Sequence, residues 1–179
     1  WTKTSVCYAE SPEELLRLYR ERAYLRQPSL IQRRVIGEGQ GLFVLMQEGM
    51  PLGMFAHRRL RERPPSGGVS VLRESIALPK AMVEATLKLL QPVKWHGVAM
   101  VEFKVDTATQ RPVLMEINGR FWGSLQLAVD AGVNFPLHLL NMAMGVPETI
   151  PENGYRVGVK SRWLLGDLDQ LVMRIRKSD

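Results

Sequence analysis

Apolar and polar positions change their spacing several times along the chain, and each change marks an element. Residues 4–9 are β-branched and aromatic enough for a strand. Ser11-Pro12-Glu13-Glu14 then reads as a helix start: Ser11 can cap, Pro12 suits the first helical position and Glu14 completes a capping box. Leu15, Leu16, Leu18, Tyr19 and Ala23 recur at helical spacing, which predicts a helix to about Arg26 with those residues inward. Three meandering strands follow at 30–36, 42–47 and 51–59, with turns at 37–41 and at Glu48-Gly49. Residues 61–70 read as a polar loop holding Pro64-Pro65 and Gly67-Gly68, and Pro79 opens a helix through Leu90. Gly97–Asp106 and Pro112–Asn118 predict a hairpin. Residues 121–132 and 136–144 predict helices, 156–161 a last strand, and Asp167 the start of a short helix. Strands mostly neighbour strands, with helices placed between them but not alternating. The pattern is that of an α+β fold, a largely antiparallel sheet flanked by helices.

Length and composition narrow the class. With 179 residues, 45% hydrophobic and 23% charged, the chain has the make-up of an ordinary globular domain or of two small lobes. No apolar run approaches a membrane span, so a membrane partner is not expected. The single cysteine, Cys7, has no internal disulfide partner, and a cytoplasmic protein is expected. The formal charge of +6 favours anionic partners, either nucleic acid or phosphorylated small molecules. Basic residues gather at 17–34, at 58–63 and in the C-terminal tail; such clusters are commonly just solvated faces. The chain opens on Trp1-Thr2-Lys3 directly before the first expected strand and closes at a helical pattern, so a fragment of a longer protein is expected.

The hairpin carries the most chemistry. Along the first strand Val98, Met100, Glu102 and Lys104 share one face, and along the second Leu114, Glu116 and Asn118 do. With residues 107–111 as the loop, Asp106 pairs with Pro112, and counting back sets Glu102 across from Glu116. Like charges directly opposite cost a few tenths up to about 1 kcal/mol. Full exposure, a shared proton or a cation between them would relieve it. Two carboxylates with the Asn118 amide oxygen suit a hard cation such as Mg²⁺ that keeps positions for water and phosphate. His57, His96 and His138 lack metal-ligand spacing, so zinc is not expected. Arg120 follows at the strand exit, a fork of donors for phosphate or carboxylate. The plainer alternative is a surface hairpin whose acids balance nearby lysines.

The runs Gly97-Val98-Ala99-Met100-Val101-Glu102-Phe103 and Leu114-Met115-Glu116-Ile117-Asn118-Gly119-Arg120 resemble the metal-binding core of the ATP-grasp superfamily of carboxylate–amine ligases. The Glu-x-Asn-x-Arg spelling is closest to the biotin carboxylase and carbamoyl-phosphate synthase branch. The resemblance implies that Glu102, Glu116 and Asn118 hold Mg²⁺ (or Mn²⁺) on ATP phosphates, and that Arg120 steadies an acyl-phosphate or its anionic precursor. Residues 30–39 resemble the interlobe strand of that family. There the backbone from Gln32 through Arg34 to Val35 would meet the adenine edge and Glu38 the ribose, although Gln32 stands where the family often has Glu. Ala56-His57-Arg58-Arg59-Leu60-Arg61 resembles its basic strand; His57, Arg59 and Arg61 alternate onto one face, with Arg59 serving catalysis. The loop after Pro64 resembles a mobile flap. The ordinary readings beside these are a core strand with a turn and an exposed basic strand with a connector.

The resemblance covers roughly residues 4–145 and corresponds to the C-terminal portion of the fold. It sets an ATP-grasp domain over 1–150, without a complete N-terminal lobe, and a strand–helix extension over 151–179. The lobe that normally precedes residue 4 would then act in cis or in trans. Gly37-x-Gly39-x-Gly41 lies between strands and is neither a P-loop nor a dinucleotide fingerprint. The activity implied is ATP- and Mg-dependent: a small-molecule carboxylate is activated as acyl-phosphate and attacked by an amine or similar nucleophile. Two other readings are weighed beside it, a nucleotide-binding fragment without activity of its own and a basic nucleic-acid-binding module. Few aromatics accompany the basic clusters and the acidic hairpin would repel a polyanion, so a nucleic-acid partner is not expected. Phe121, Trp122 and Ser124 stand where acceptor contacts could lie, but a Phe-Trp pair more often packs in a core.

Overall fold

The structure, a computed structural model, describes residues 6–64, 68–147, 150 and 154–175. It divides into two compact units, Trp1–Val35 and Ile36–Asp179. In the first, α1 (Pro12–Glu21) starts as the sequence predicts: Ser11 accepts from the Glu14 backbone N–H at 3.1 Å with Pro12 in the first turn. The reciprocal arm of the box falls one residue early, because the Glu14 carboxylate accepts from the backbone N–H of Glu10. A 3₁₀ turn, Ala23–Arg26, replaces the last part of the expected helix. Of the residues expected inward, Leu18 is buried while Leu16, Tyr19 and Ala23 are exposed.

Two expected strands are absent from this unit. Residues 6–9 are irregular (4 and 5 lie outside the described residues), and so is the whole of 30–36. Leu30 and Ile31 are 89% and 80% exposed, so their apolar character is not matched by burial. Strand propensity reports fit to a half-buried pleated surface; without one it does not make a strand.

The second unit is built on one six-stranded antiparallel sheet in the order β5-β4-β1-β2-β3-β6. The strands are β1 (Gly37–Gln47), β2 (Met50–Arg63), β3 (Val69–Ile76), β4 (Gly97–Asp106), β5 (Pro112–Asn118) and β6 (Lys160–Arg162). The helices are α2 (Lys80–Leu90), α3 (Leu125–Ala131), α4 (Phe135–Ala143) and α5 (Leu164–Ile175). Alternation along β1 divides the core in two. Leu42, Val44 and Met46 join Met54, Ala56, Ala99, Val101 and Phe103 beneath Met82 and Leu90 of α2. Phe43 and Leu45 join Phe55, Val98 and Met100 beneath Trp122, Leu127, Ala128 and Phe135, from α3, α4 and the segment before them.

The sheet is longer-stranded than its sequence pattern. Residues 37–41, expected as a turn, extend β1: all five pair with β4, and Gln40 and Gly41 also pair with β2. Residues 61–63 extend β2, and 69–70 open β3, so the expected loop shrinks to its middle, of which 65–67 lie outside the described residues. Two C-terminal elements shift: the strand expected at 156–161 is Lys160–Arg162, and the helix begins at Leu164 instead of Asp167. Both β6 and α5 belong to the same unit as the sheet.

Candidate functional site

Beyond the Phe43 layer, on the face that carries α3 and α4, the apolar side chains give way to a row of polar ones. Strand register assembles the row: Glu116 opposes Glu102, Glu102 opposes Gly41, Gly41 opposes His57 and His57 opposes Ser75. A second row runs beside it, with Lys104 opposite Gly39 and Arg59 opposite Arg73. Glu102 and Glu116 stand at the β4–β5 end, with Lys104 beside them, and His57, Arg59 and Arg73 at the β2–β3 end.

The expected facing of Glu102 and Glu116 is observed, by a different count. Val105, not Asp106, pairs with Pro112, and a bulge between Glu102 and Phe103 restores the offset by passing over Met115. Asp106 closes the turn by accepting from the Ala108 and Thr109 backbone N–H groups. At the far end, Gly119 passes so close to the Trp95 indole that a Cβ there would lie 2.8 Å from it.

Glu102 is the hub. One oxygen accepts from Asn118 Nδ2 at 3.2 Å, and the other is paired with the Arg59 guanidinium. Arg59 also donates to Glu62 at 2.9 Å and to the Gly68 carbonyl at 3.2 Å. To reach Glu102 from β2 it must cross β1, and the two glycines of β1 make that possible. A Cβ on Gly39 would lie 2.9 Å from Arg59 Cδ, and one on Gly41 2.9 Å from His57 Nε2. The glycine alternation thus leaves a path for long side chains across β1.

His57 is 1% exposed, edge-on to Phe43 with ring centroids 4.8 Å apart, and neither ring nitrogen has a hydrogen-bond partner among the described residues. Burial first, and then the charges of Arg59 and Arg73, lower its pKa to about 3, so the imidazole is neutral. Arg73 is 8% exposed; burial and the neighbouring Arg59 lower its pKa from the ordinary arginine value. Trp122 stacks on Phe43 at 4.3 Å and is core, whereas Phe121 is 38% exposed.

The structure brings Glu102, Glu116, Asn118 and Arg59 into one neighbourhood. Glu116 is exposed and has no hydrogen bond or ion pair among the described residues. Arg120 is exposed at the strand exit and donates to the Phe121 carbonyl at 3.1 Å. Arg61 turns to Asp167 of α5 at 3.0 Å, so the three-residue basic face of 57, 59 and 61 does not act as one cluster. Glu38 lies in β1 and accepts from Gln40 Nε2 at 2.8 Å. In the other unit Gln32 and Arg34 are exposed and Val35 is half-buried, all in irregular chain. Arg34 lies over the Tyr8 ring and pairs with Glu10 at 3.4 Å. The sequence reading missed Glu62, placed in a loop, and Arg73, left unassigned. The signal for Arg73 was the alternation from Val69 to Ile76, masked because its inward face carries Arg73 and Ser75 beside Val71.

The donor set is chemically fit for a hard divalent cation. It offers two adjacent carboxylates, one of them without a partner, and an amide, all oxygen donors. Among the described residues no three His, Cys, Asp or Glu side chains gather as a metal cluster, which argues against a closed, all-protein cage. Mg²⁺ does not need one, since it retains waters and takes phosphate oxygens.

Residues 51–163 match the profile of a family described as ATP-grasp in the biosynthetic pathway with Ter operon. No curated protein matches the chain. Similar solved structures include the biotin carboxylase domain of the Hydrogenobacter thermophilus 2-oxoglutarate carboxylase, in complex with MgADP, ADP and bicarbonate. Its identity is 17% and its TM-score 0.59, over 83% of this chain and 35% of that one. The biotin carboxylase of Campylobacter jejuni is 15% identical with TM-score 0.56, over 72% and 30% of the two chains. The L-amino acid ligase of Bacillus licheniformis is 18% identical with TM-score 0.53, over 71% and 34%. At these identities the likeness is one of fold. The chain spans about a third of each of these three proteins.

Proposed function

Because the chain belongs to the family of ATP-grasp proteins in the biosynthetic pathway with Ter operon, we propose that it supplies the phosphate-binding half of an ATP-dependent ligase that joins a carboxylate to an amine or similar nucleophile. The observation that carries this reading is the Glu102–Glu116 pair in register, with Asn118 on Glu102 and Arg59 reaching it across two glycines. Glu102, Glu116 and Asn118 would hold magnesium (or manganese), which neutralises phosphate charge when bound. Arg59 and Arg120 provide guanidinium donors for charge that develops during phosphoryl transfer.

The chemistry is a two-step exchange. A carboxylate oxygen of the substrate attacks the γ-phosphorus of ATP, and ADP leaves. The nucleophile's lone pair then attacks the acyl carbon, phosphate leaves with the bonding electrons, and the nucleophile's proton passes to solvent or base. Coverage of only about a third of the similar structures favours a requirement for further protein, in cis or in trans, before turnover occurs.

Calorimetric titration with a non-hydrolysable ATP analogue, with and without Mg²⁺, tests the reading. Magnesium-dependent binding by the chain, lost in Glu116→Ala, is expected. Binding indifferent to both magnesium and Glu116 would remove the hairpin from the reading. Absence of binding, in this chain and in one extended at its N-terminus, would end it.

A further inference from the structure

We infer that Arg73, with His57 beside it, forms a receptor for an oxyanion, a carboxylate or phosphoryl group, at the basic end of the site. The inference deepens the ligase reading and takes its catalytic meaning from it, but the physical argument stands on Arg73 alone.

Strands β2 and β3 carry five arginines, and four of them have a carboxylate. Arg58 pairs with Glu74 at 2.7 Å, Arg59 with Glu62 and Glu102, Arg61 with Asp167 at 3.0 Å and Arg63 with Asp169 at 3.1 Å. Arg73 has none among the described residues, although it is 8% exposed. Its Nη1 donates to the Ser70 carbonyl at 3.1 Å, and its Nε–H is buried without a partner. A buried charge with no counter-charge is strongly disfavoured, and here it stands directly opposite a second cation, Arg59.

The side chains around it offer nothing to offset that cost. His57, two residues from Arg59 on the same face, is neutral and has both ring nitrogens unsatisfied. Ser75, opposite His57, is already engaged: its hydroxyl donates to the Arg156 carbonyl at 2.7 Å and accepts from the Val159 N–H at 2.9 Å. The guanidinium Nε–H and one imidazole N–H, left without acceptors in a water-poor place, are the groups an anion would satisfy with its lone pairs. A guanidinium edge beside a neutral imidazole N–H would take one oxyanion group. Lying one strand beyond Arg59, such a group would sit beside the acidic row and not upon it.

The test uses the purified chain without magnesium or nucleotide. Sodium phosphate and sodium acetate are added separately, with chloride holding ionic strength constant. The thermal midpoint and the Arg73 Nε–H resonance in ¹⁵N spectra are followed. For the wild type a saturable rise of about 3–6 °C is expected at ten times Kd, with a shift of that resonance. Arg73→Met should abolish the response and, in chloride alone, unfold at or above the wild-type midpoint, since it removes an uncompensated charge. Arg73→Lys should keep a weakened response. A stronger response to acetate assigns the receptor to the substrate carboxylate, and one to phosphate assigns it to a phosphoryl group.

A wild type without a saturable response, or one whose Arg73 resonance stays fixed, overturns the inference. So does Arg73→Met that unfolds well below the wild type or still responds fully. If the Met variant does not fold, the Lys variant and the wild-type resonance decide. Glu116→Ala should leave the anion response intact. Loss of magnesium-dependent nucleotide binding with a preserved Arg73 response would therefore sink the ligase reading alone, and the converse would sink this inference alone.

Discussion

At the scale of single residues, the site depends as much on absent side chains as on present ones. Gly39 and Gly41 both lie beneath charged or polar neighbours of β2, but those neighbours differ in how far they can move. A methyl at Gly41 would meet His57 and Phe43 at 2.9 and 3.0 Å, both fully buried. A methyl at Gly39 would meet the Arg59 chain at 2.9 Å and the Glu62 carboxylate at 3.3 Å, and a long side chain can swing aside. Gly41→Ala is therefore expected to cost about 1–3 kcal/mol, read as a lowered urea midpoint at unchanged slope. Gly39→Ala should leave the midpoint nearly in place and weaken magnesium-dependent binding of the ATP analogue, because it displaces Arg59 from Glu102. Equal effects of the two variants on stability would show that the crossing of Arg59 is not the reason for Gly39.

At the scale of elements, legibility followed burial. The hairpin was read with its ends correct, because the turn has defined chemistry at Asp106. Its acids face each other although the expected pairing was one residue off, since the bulge at Met115 restores the offset. Helices α2 and α4 were found within a residue of their bounds, and α4 is capped by Asn134, whose side chain accepts from the Leu137 N–H. Strand β3 was missed because an inward arginine breaks the apolar pattern, and the glycines of β1 were taken for a turn because glycine disfavours strands. Nothing local distinguishes a glycine that turns the chain from one that clears a path for Arg59; the partner strand decides. Residues 30–36 erred in the other direction, with apolar side chains that the fold leaves exposed. The attachment of α5 to β2 and β3 was also invisible in sequence. It rests on Asp167, a side chain 8% exposed that binds Arg61 at 3.0 Å and Arg162 at 3.2 Å, and on Asp169, 54% exposed and paired with Arg63. Asp167→Ala strips two partly exposed arginines of their carboxylate and should cost roughly 1–2 kcal/mol. Asp169→Ala should cost less than about 1 kcal/mol. Thermal unfolding of both variants checks the ranking, and faster proteolytic cleavage within α5 should accompany the first alone.

At the scale of the whole molecule, the same polar rows that make a site tie the stability of the sheet unit to pH. His57 is held neutral where an unfolded chain would bind a proton on it near pH 6.5, while in the folded unit its pKa is about 3. Between those values the unfolded state carries the extra proton, so stability rises with pH across this window. The contribution is complete above pH 6.5 and is lost progressively as pH falls toward 3. Each pH unit is worth about 1.4 kcal/mol, so roughly 2 kcal/mol should be gone at pH 5 relative to neutrality. Urea unfolding at pH 7, 6 and 5 measures it. In His57→Gln the histidine component disappears, and the difference between variant and wild type should shift in the variant's favour by that amount as pH falls. Parallel curves would mean that His57 takes up a proton in the folded unit as readily as in the unfolded chain, so that its burial does not hold it neutral. The imidazole beside Arg73 would then become a second cation below about pH 6.5. The pH series on folding and the anion series on binding therefore test one arrangement from two sides: a single sheet face with the unpaired acid Glu116 toward β5 and the uncompensated cation Arg73 toward β3.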